Sequence, residues 1–520
     1  MMLRIEKNWM IGLAALHLLL RTIVAISTGL GIDEVYYVAY GLYPDWSYFD
    51  HPPMLAVLER FFTLDMRLMG AFFIRLGPLV VGTVNLFLLY TIGKRLKDEK
   101  AGLIAAILGM SSFYISFATG TFLLPDTPQS LFWLWAILLF IRYIDSGLPK
   151  WIYLFGLMVG LGMLSKYHAV FLWGGAGLYF LKYDWKKLYS KEVLMAAFIS
   201  LLLFFPVILW NYFNSFSSLN FHSGRIGNKG MHLRFDLFLQ EVLGELLYNN
   251  PILVVFILSA LVFYWKNRKT VITKKIWFLF AGAIPLLVVV FSLSFFNKTL
   301  PHWTGPAYFN LILVGAVYAS QFLRKSNPVK IDRYLLGSLL LFLMGVLLGL
   351  AQVHAGIFPL YRNAKEHKIG SKDPSVDLYV WDKVAPKIKA VVEEDINSGL
   401  MDEGAVLLTH KWFPAANIDY YYARPNGKKL YVIGNAERKH LYGKINQLHG
   451  DIPLGSDAYY ITTSKVYTYP LKDLFSSYGS HSSPIIIPVY RRGDKIFNLY
   501  MWRLKDLLCP LDMDMMKETK

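Results

Sequence analysis

Between Gly31 and Leu58 the chain reads GIDEVYYVAYGLYPDWSYFDHPPMLAVL, which sets Asp33, Glu34, Asp45, Asp50 and His51 between two long apolar runs. Further on, Asp126 stands in LLPDTPQ, Lys166 and His168 in LSKYHAV, His222 and Arg225 in NFHSGRIG, and Lys298 and His302 in NKTLPHWTGPAY. Carboxylates gathered with Lys, Arg and His suit a transfer from a lipid phosphate. One carboxylate would act as general base on the attacking hydroxyl or amine. Cationic groups, or a metal, would stabilise the charge growing on the departing phosphate.

Each of these residues also has a plainer reading. Asp33 follows Gly-Ile at the end of an apolar run and suits an N-cap. Tyr36, Tyr37, Tyr40 and Tyr43 fit an interfacial aromatic belt better than direct stacking on a substrate. Pro52-Pro53 suits the stop of one helix and the start of another. Lys166 and Lys298 suit snorkelling anchors. Asp50, His51 and the distant His302 have metal-ligand chemistry, but no spacing rule links them.

The elements that must hold these residues are apolar. Of 520 residues, 55% are hydrophobic and only 17% charged, and apolar runs recur through the first 355 positions. That composition predicts a polytopic α-helical membrane protein. Eleven spans are predicted, at 9–30, 68–92, 101–121, 128–144, 151–165, 168–181, 193–212, 250–265, 276–295, 303–323 and 334–354. The first has no small-residue cleavage site behind it and reads as a retained helix, not a removed signal peptide.

With the N-terminus in the cytoplasm, the inner loops carry 21 Lys and Arg and the outer loops up to the last span carry 7. The positive-inside rule then places the candidate polar loops on the outer side. The net charge of +17 therefore reads as lipid topology and not as nucleic-acid binding. From 356 to 520 the composition turns polar, with short β-rich runs at 405–410, 428–434, 458–463 and 484–490 and a helical pattern closing at Gly399. The predicted organisation is a membrane catalytic domain over 1–355 and an extracytoplasmic α/β domain over 356–520. The single cysteine, Cys509, leaves no internal disulfide and no cysteine-based metal cluster.

A transporter would carry carboxylates at mid-depth in its spans. The predicted spans hold almost none, with Arg21 and Arg75 the main charged exceptions, and the polar residues gather in outer loops. An enzyme at the membrane surface fits that pattern better than a transporter or flippase of lipid-linked sugars.

The run Asp33-Glu34-Val35-Tyr36-Tyr37 followed by Tyr48-Phe49-Asp50-His51-Pro52-Pro53-Met54 resembles the first outer loop of bacterial GT-C superfamily glycosyltransferases. The branch is the one similar to dolichyl-phosphate-mannose protein mannosyltransferases, with the lipid A aminoarabinose transferase and lipopolysaccharide-core galacturonosyltransferases among its members. The likeness continues at Leu124-Pro125-Asp126-Thr127-Pro128, Gly160 to Tyr167, Asn220-Phe221-His222 with Arg225, and Pro301-His302-Trp303 with Pro306-Ala307-Tyr308. A weaker likeness runs on to TTSK after Asp457-Ala458-Tyr459-Tyr460.

The resemblance implies an inverting transfer of one sugar from a polyprenyl-phosphate (undecaprenyl-phosphate) donor to an envelope glycolipid, glycan or protein. The reaction would occur at the outer face of the bacterial inner membrane. Asp33 matches the family's catalytic acid and is assigned as general base, with Glu34 beside it and Asp126 as a second acid that orients donor or acceptor. Asp50 occupies the place of a metal-associated Glu, and His51 replaces a phosphate-contacting Lys. His51, Lys166, Arg225, Lys298 and Tyr36 form the lipid-phosphate and sugar set. Asp50, His51 and His302 form the candidate ligands of a divalent metal (Zn, Mg or Mn). No nucleotide or redox cofactor is implied.

Overall fold

The computed structural model describes residues 2–226, 232–323, 328–360, 364–469 and 472–515. The chain forms two compact units. One comprises Met1–Ala25 and Tyr43–Val346, and the other Ile26–Leu42 and Leu347–Lys520.

The first unit is helical, and every one of the eleven predicted spans falls on helix. Among the described residues, six helices are long and apolar enough to cross a membrane: Asn8–Ser27, Ala71–Leu96, Asp126–Ser146, Lys191–Phe213, Lys274–Ser294 and Val329–Ala355. A seventh candidate is the pair Phe235–Tyr248 and Pro251–Lys266, bent by 103° at a short break. The predicted spans at 101–121, 151–165, 168–181 and 303–323 are shorter α-helices of 13 to 15 residues. Three of these four continue into, or are preceded by, a π or 3₁₀ segment. The count of eleven by hydropathy thus exceeds the count by helix length.

These helices turn large apolar side chains outward. On Lys191–Phe213, Leu194, Met195, Phe198, Leu201, Leu202 and Phe205 are all exposed, as a lipid-facing stripe requires. Inside, small residues bring backbones together: a side chain at Gly175 would strike Gly282, and one at Gly156 would strike the Ala196 backbone. Phe140 and Phe278 stack at 4.1 Å. Trp133 Nε1 donates to Asn310 Oδ1 at 2.9 Å, and Asn85 Nδ2 to Ser130 Oγ at 2.7 Å.

Arg21 and Arg75, the main charged exceptions within the predicted spans, are structural. Arg21 donates to the carbonyls of Leu79 and Gly120 and to Thr83, and Gly82 and Gly120 leave the room its guanidinium occupies. Arg75 donates to the Ala25 carbonyl at 2.8 Å and lies over the Phe122 ring. Both charges are buried and hydrogen-bonded to backbone, which is how a low-dielectric interior accommodates them.

The second unit holds six described strands: β1 Val406–Thr409, β2 Leu430–Val432, β3 Ala458–Thr463, β4 Tyr478–His481, β5 Ile485–Arg491 and β6 Asp494–Leu507. The order β2-β1-β3-β6-β4 has β1 parallel to β2 and β3, while β6 runs antiparallel to β3, β4 and β5. Four strands were predicted from sequence. The longest, β6, was not. Its central residues are buried on both faces, so it lacks the alternation that marks a half-exposed strand. The predicted helix closing at Gly399 is Asp377–Asn397, and Gly399 takes the positive φ of +67° that stops it.

Ion pairs tie this unit together. Arg491 Nη2 meets Asp373 at 2.7 Å with both side chains at 1% exposure or less. Arg503 grips both carboxylate oxygens of Asp395 at 2.7 Å, in the two-pronged geometry that planar guanidinium favours.

Candidate active site

Two polar segments of the first unit, Ser165-Lys166-Tyr167 and the helix Ser217–Ile226, lie beside the loop that ends in Asp50-His51-Pro52-Pro53. Its turn closes through the Tyr48 N–H, which donates to the His51 carbonyl at 3.1 Å. Asp45 Oδ2 accepts from Trp210 Nε1 at 2.9 Å. The helix Met54–Phe62 starts directly after Pro53, as the Pro-Pro pair predicted. Its first N–H, on Met54, donates to the Leu164 carbonyl at 2.9 Å. That bond brings the loop beside Ser165-Lys166-Tyr167. Phe49 packs on Phe221 at 4.8 Å, and the Tyr167 hydroxyl bonds Ser218 at 2.9 Å, so the helix Ser217–Ile226 joins the same cluster. Asp50 is buried and its charge reaches Tyr167.

Asp126 and Lys166 meet directly. Asp126 opens the helix Asp126–Ser146, and Lys166 follows the end of Pro149–Met163 in extended backbone. Lys166 Nζ lies 2.9 Å from both carboxylate oxygens of Asp126, and Tyr114 donates to Asp126 Oδ1 at 2.9 Å. All three are buried. Lys166 is the main cation acting on Asp126 and His302 the next, and the His302 ring lies 6.4 Å from that of Tyr248. Lys166 is thus no snorkelling anchor: its ammonium points into the protein.

His302 sits in the 3₁₀ turn Pro301–Trp303, and the structure supports that turn with two acids that sequence reasoning passed over. Glu241 and Glu245, one turn apart on Phe235–Tyr248, are both buried. Glu241 accepts from the Thr299 hydroxyl at 2.7 Å, and Glu245 accepts from the hydroxyls of Thr304 and Tyr308 and from Asn249 Nδ2. Between them, Gly244 leaves the space that Pro301 fills. The signal lay in the sequence as two glutamates four apart in the mainly apolar FDLFLQEVLGELLY, a pattern that marks polar residues turned inward at membrane depth. Lys298, four residues before His302, is exposed.

In the second unit, Asp33 and Glu34 lie in the first turn of the helix Ile32–Leu42. The cap is Glu34 and not Asp33: Glu34 is buried and its Oε2 accepts from the Gly31 N–H at 2.8 Å, the return half of a capping box. Asp33 is exposed. Tyr36 is 1% exposed, packed among Tyr37, Tyr40, Trp412 and His440.

Asp50, His51 and His302 do not form a three-ligand group, since among the described residues no cluster of three or more His, Cys, Asp or Glu is placed to hold a metal ion. All three have ligand chemistry, but Asp50-His51 stands on one loop and His302 on another. The donor set does not fit, and no step below passes through a metal. Arg225 lies on the helix Ser217–Ile226, and its side chain, like that of His222, falls outside the described residues.

A family model described as dolichyl-phosphate-mannose-protein mannosyltransferase matches residues 50–210, the region that contains the Asp50-His51 loop, Asp126 and Lys166. The structure of Cupriavidus metallidurans ArnT bound to undecaprenyl phosphate superposes with a TM-score of 0.60 at 14% identity, covering 95% of this chain and 98% of that one. The apo form of the same protein gives 0.58 at 11% identity with the same coverage. The apo oligosaccharyltransferase of Archaeoglobus fulgidus gives 0.50 at 12% identity, covering 88% of this chain and 70% of that one. No curated protein sequence matches the chain. The chain thus shares its fold with ArnT and with the Archaeoglobus oligosaccharyltransferase, and the family-model match over 50–210 agrees with the resemblance drawn from the sequence motifs.

Proposed function

We propose that this GT-C-fold chain is a polyprenyl-phosphate-dependent glycosyltransferase. It moves a single sugar from an undecaprenyl-phosphate donor to an envelope glycolipid, glycan or protein at the outer face of the bacterial inner membrane. The observation that carries this reading is the buried Asp126–Lys166 pair beside the Asp50-His51 loop, all within the region matched by the mannosyltransferase family model. The full-length fold likeness to an ArnT crystallised with undecaprenyl phosphate supports the choice of donor.

In this reading Asp33 is the general base and removes the proton from the acceptor hydroxyl or amine. The acceptor oxygen or nitrogen attacks the anomeric carbon from the face opposite the phosphate. The bond between that carbon and the phosphate oxygen breaks, its electrons leave with polyprenyl phosphate, and the anomeric centre inverts. Lys166, with Arg225, His51 and Lys298, neutralises the leaving phosphate, Lys as a point charge and Arg through paired N–H groups. Asp126 holds the Lys166 ammonium in place. Glu34 closes the helix that bears Asp33.

The rival reading, a transporter or flippase of lipid-linked sugars, draws on Glu241 and Glu245, buried acids on a bent helix pair. The hydrogen bonds from Thr299, Thr304, Tyr308 and Asn249 engage them structurally. The deciding experiment supplies purified protein with a panel of sugar-labelled undecaprenyl-phosphate donors and an envelope lipid extract. Release of undecaprenyl phosphate with label in the extract supports transfer. Flux of intact donor across a vesicle bilayer without cleavage supports transport.

A further inference from the structure

The helix Ile32–Leu42 precedes almost all of the membrane unit in sequence, yet packs as part of the C-terminal unit. Its entry is fixed by two bonds: the Gly29 N–H donates to the Leu378 carbonyl at 2.9 Å, and the Leu30 N–H to the Tyr421 hydroxyl at 3.1 Å. Its rotation is fixed by Tyr36. The Tyr36 ring lies 4.7 Å from Trp412 and, edge-on, 5.8 Å from His440, and Trp412 and His440 stack at 5.1 Å with planes 28° apart. The Leu441 N–H donates to the Tyr36 hydroxyl at 3.4 Å.

Trp412 stands just beyond β1, on the helix Trp412–Ile418, and His440 follows β2 at the end of Ala436–Lys439. Both rings thus lie on the connections that follow the carboxyl ends of two parallel strands. His440 takes a φ of +48°, a conformation that residues with a side chain rarely adopt. Such strain persists only where surrounding structure enforces it. Asn435 restrains the approach to His440, its side chain accepting from the Arg438 N–H at 3.0 Å.

We propose that Tyr36, Trp412 and His440 form an aromatic anchor by which the C-terminal unit positions Asp33 for proton removal. This rests on the reading of Asp33 as general base. Asp33 and Tyr36 are three residues apart on one helix, hence on neighbouring rows of one face, so the rotation that seats the Tyr36 ring also sets where the Asp33 carboxylate points. Productive catalytic geometry tolerates displacements of only about 0.5 Å and rotations of about 10–20°. Tyr36 is buried in packing and is a positioning residue, not a substrate contact. The C-terminal unit is then a working part of the enzyme.

The test uses the full-length protein in nanodiscs, comparing Trp412→Ala, Trp412→Phe and Asp33→Asn. In Trp412→Ala the amides of Val35–Leu42 exchange with solvent at least about tenfold faster. Turnover of an undecaprenyl-phosphate sugar falls at least about tenfold, since small misplacements cost catalysis heavily. Its KM stays within about twofold, because only transition-state geometry is lost. Trp412→Phe restores both rate and protection. Parental exchange and turnover in Trp412→Ala, beside an inactive Asp33→Asn, overturn the anchor alone. Loss of kcat together with a raised KM and no rescue by Phe also overturns it, marking the site as merely structural. Parental turnover in Asp33→Asn overturns the base assignment and the anchor with it.

Discussion

Lys166 Nζ sits 2.9 Å from both oxygens of the Asp126 carboxylate, and both side chains are at most 5% exposed. Two sequence-predicted site residues, 40 positions apart, thus form one buried ion pair, with Tyr114 completing the carboxylate's shell. Burial of a charge is tolerated when its partner and hydrogen bonds are in place, and breaking one side strands the other.

Lys166→Met should therefore lower stability by about 3–5 kcal/mol by leaving the buried Asp126 carboxylate without its counter-charge. The double variant Lys166→Met/Asp126→Leu should recover most of that loss, because it removes both charges. Neither variant should transfer sugar. Detergent-phase thermal unfolding, paired with a donor-cleavage assay, reads both effects.

The neighbouring acids of Ile32–Leu42 should separate cleanly. Asp33→Asn should lower turnover by about 10²–10⁴-fold, the range of a lost general base, with unfolding unchanged. Glu34→Gln keeps an oxygen to accept from Gly31 and should stay within a few fold of parental turnover. Glu34→Leu loses the cap and should cost about 1 kcal/mol of stability. Steady-state kinetics and unfolding midpoints on the same three proteins distinguish base from cap.

The turn that carries His302 should respond to the helix behind it. Glu245→Leu removes the acceptor for the Thr304 and Tyr308 hydroxyls and should cost about 1–3 kcal/mol, the penalty for buried polar groups left unpaired. Glu245→Gln keeps an acceptor and should cost less. Gly244→Val, which must displace Pro301, should lower turnover further than either glutamate variant changes it. Unfolding midpoints and donor cleavage measured on the three proteins check this order.

The C-terminal unit should weaken as pH falls. Burial, then the charge of Arg438, pushes the His410 imidazole from 6.5 down to about 3. Its ring is bonded to the Tyr460 and Thr468 hydroxyls and the Val466 carbonyl, with Lys411 also near. Above pH 6.5 the group is neutral whether folded or unfolded and contributes no pH dependence. Below that, the unfolded chain binds a proton that the folded chain refuses, so stability falls towards about pH 3. The slope from one such group is about 1.4 kcal/mol per pH unit. Hydrogen exchange of the β1 and β3 amides in the full chain from pH 7 to about 5 should show it, and His410→Gln should flatten it.

Much of this architecture is legible in the residues themselves. Apolar runs locate the helices, and β-branched runs locate β1, β2, β3 and β5. The spacing of Asp126, Lys166 and the Asp50-His51 loop tells nothing of their meeting, because buried polar contacts depend on how helices pack. Nor does any local pattern attach Ile26–Leu42 to the C-terminal unit: that pairing is made by Tyr36, Trp412 and His440 across most of the chain. Hydropathy located all eleven spans on helix, four of them on helices of 13 to 15 residues that length alone does not single out. Glu241 and Glu245 escaped notice because their segment was read as loop.

Transfer from a lipid-linked sugar is read by the release of undecaprenyl phosphate when purified protein meets a sugar-labelled undecaprenyl-phosphate donor panel in the presence of envelope acceptors. At least one donor should be cleaved, its label should appear on an acceptor with inverted anomeric configuration, and Asp33→Asn and Lys166→Met should abolish the release. Donor that remains intact across the whole panel, while crossing vesicle membranes in a protein-dependent way, would contradict transfer.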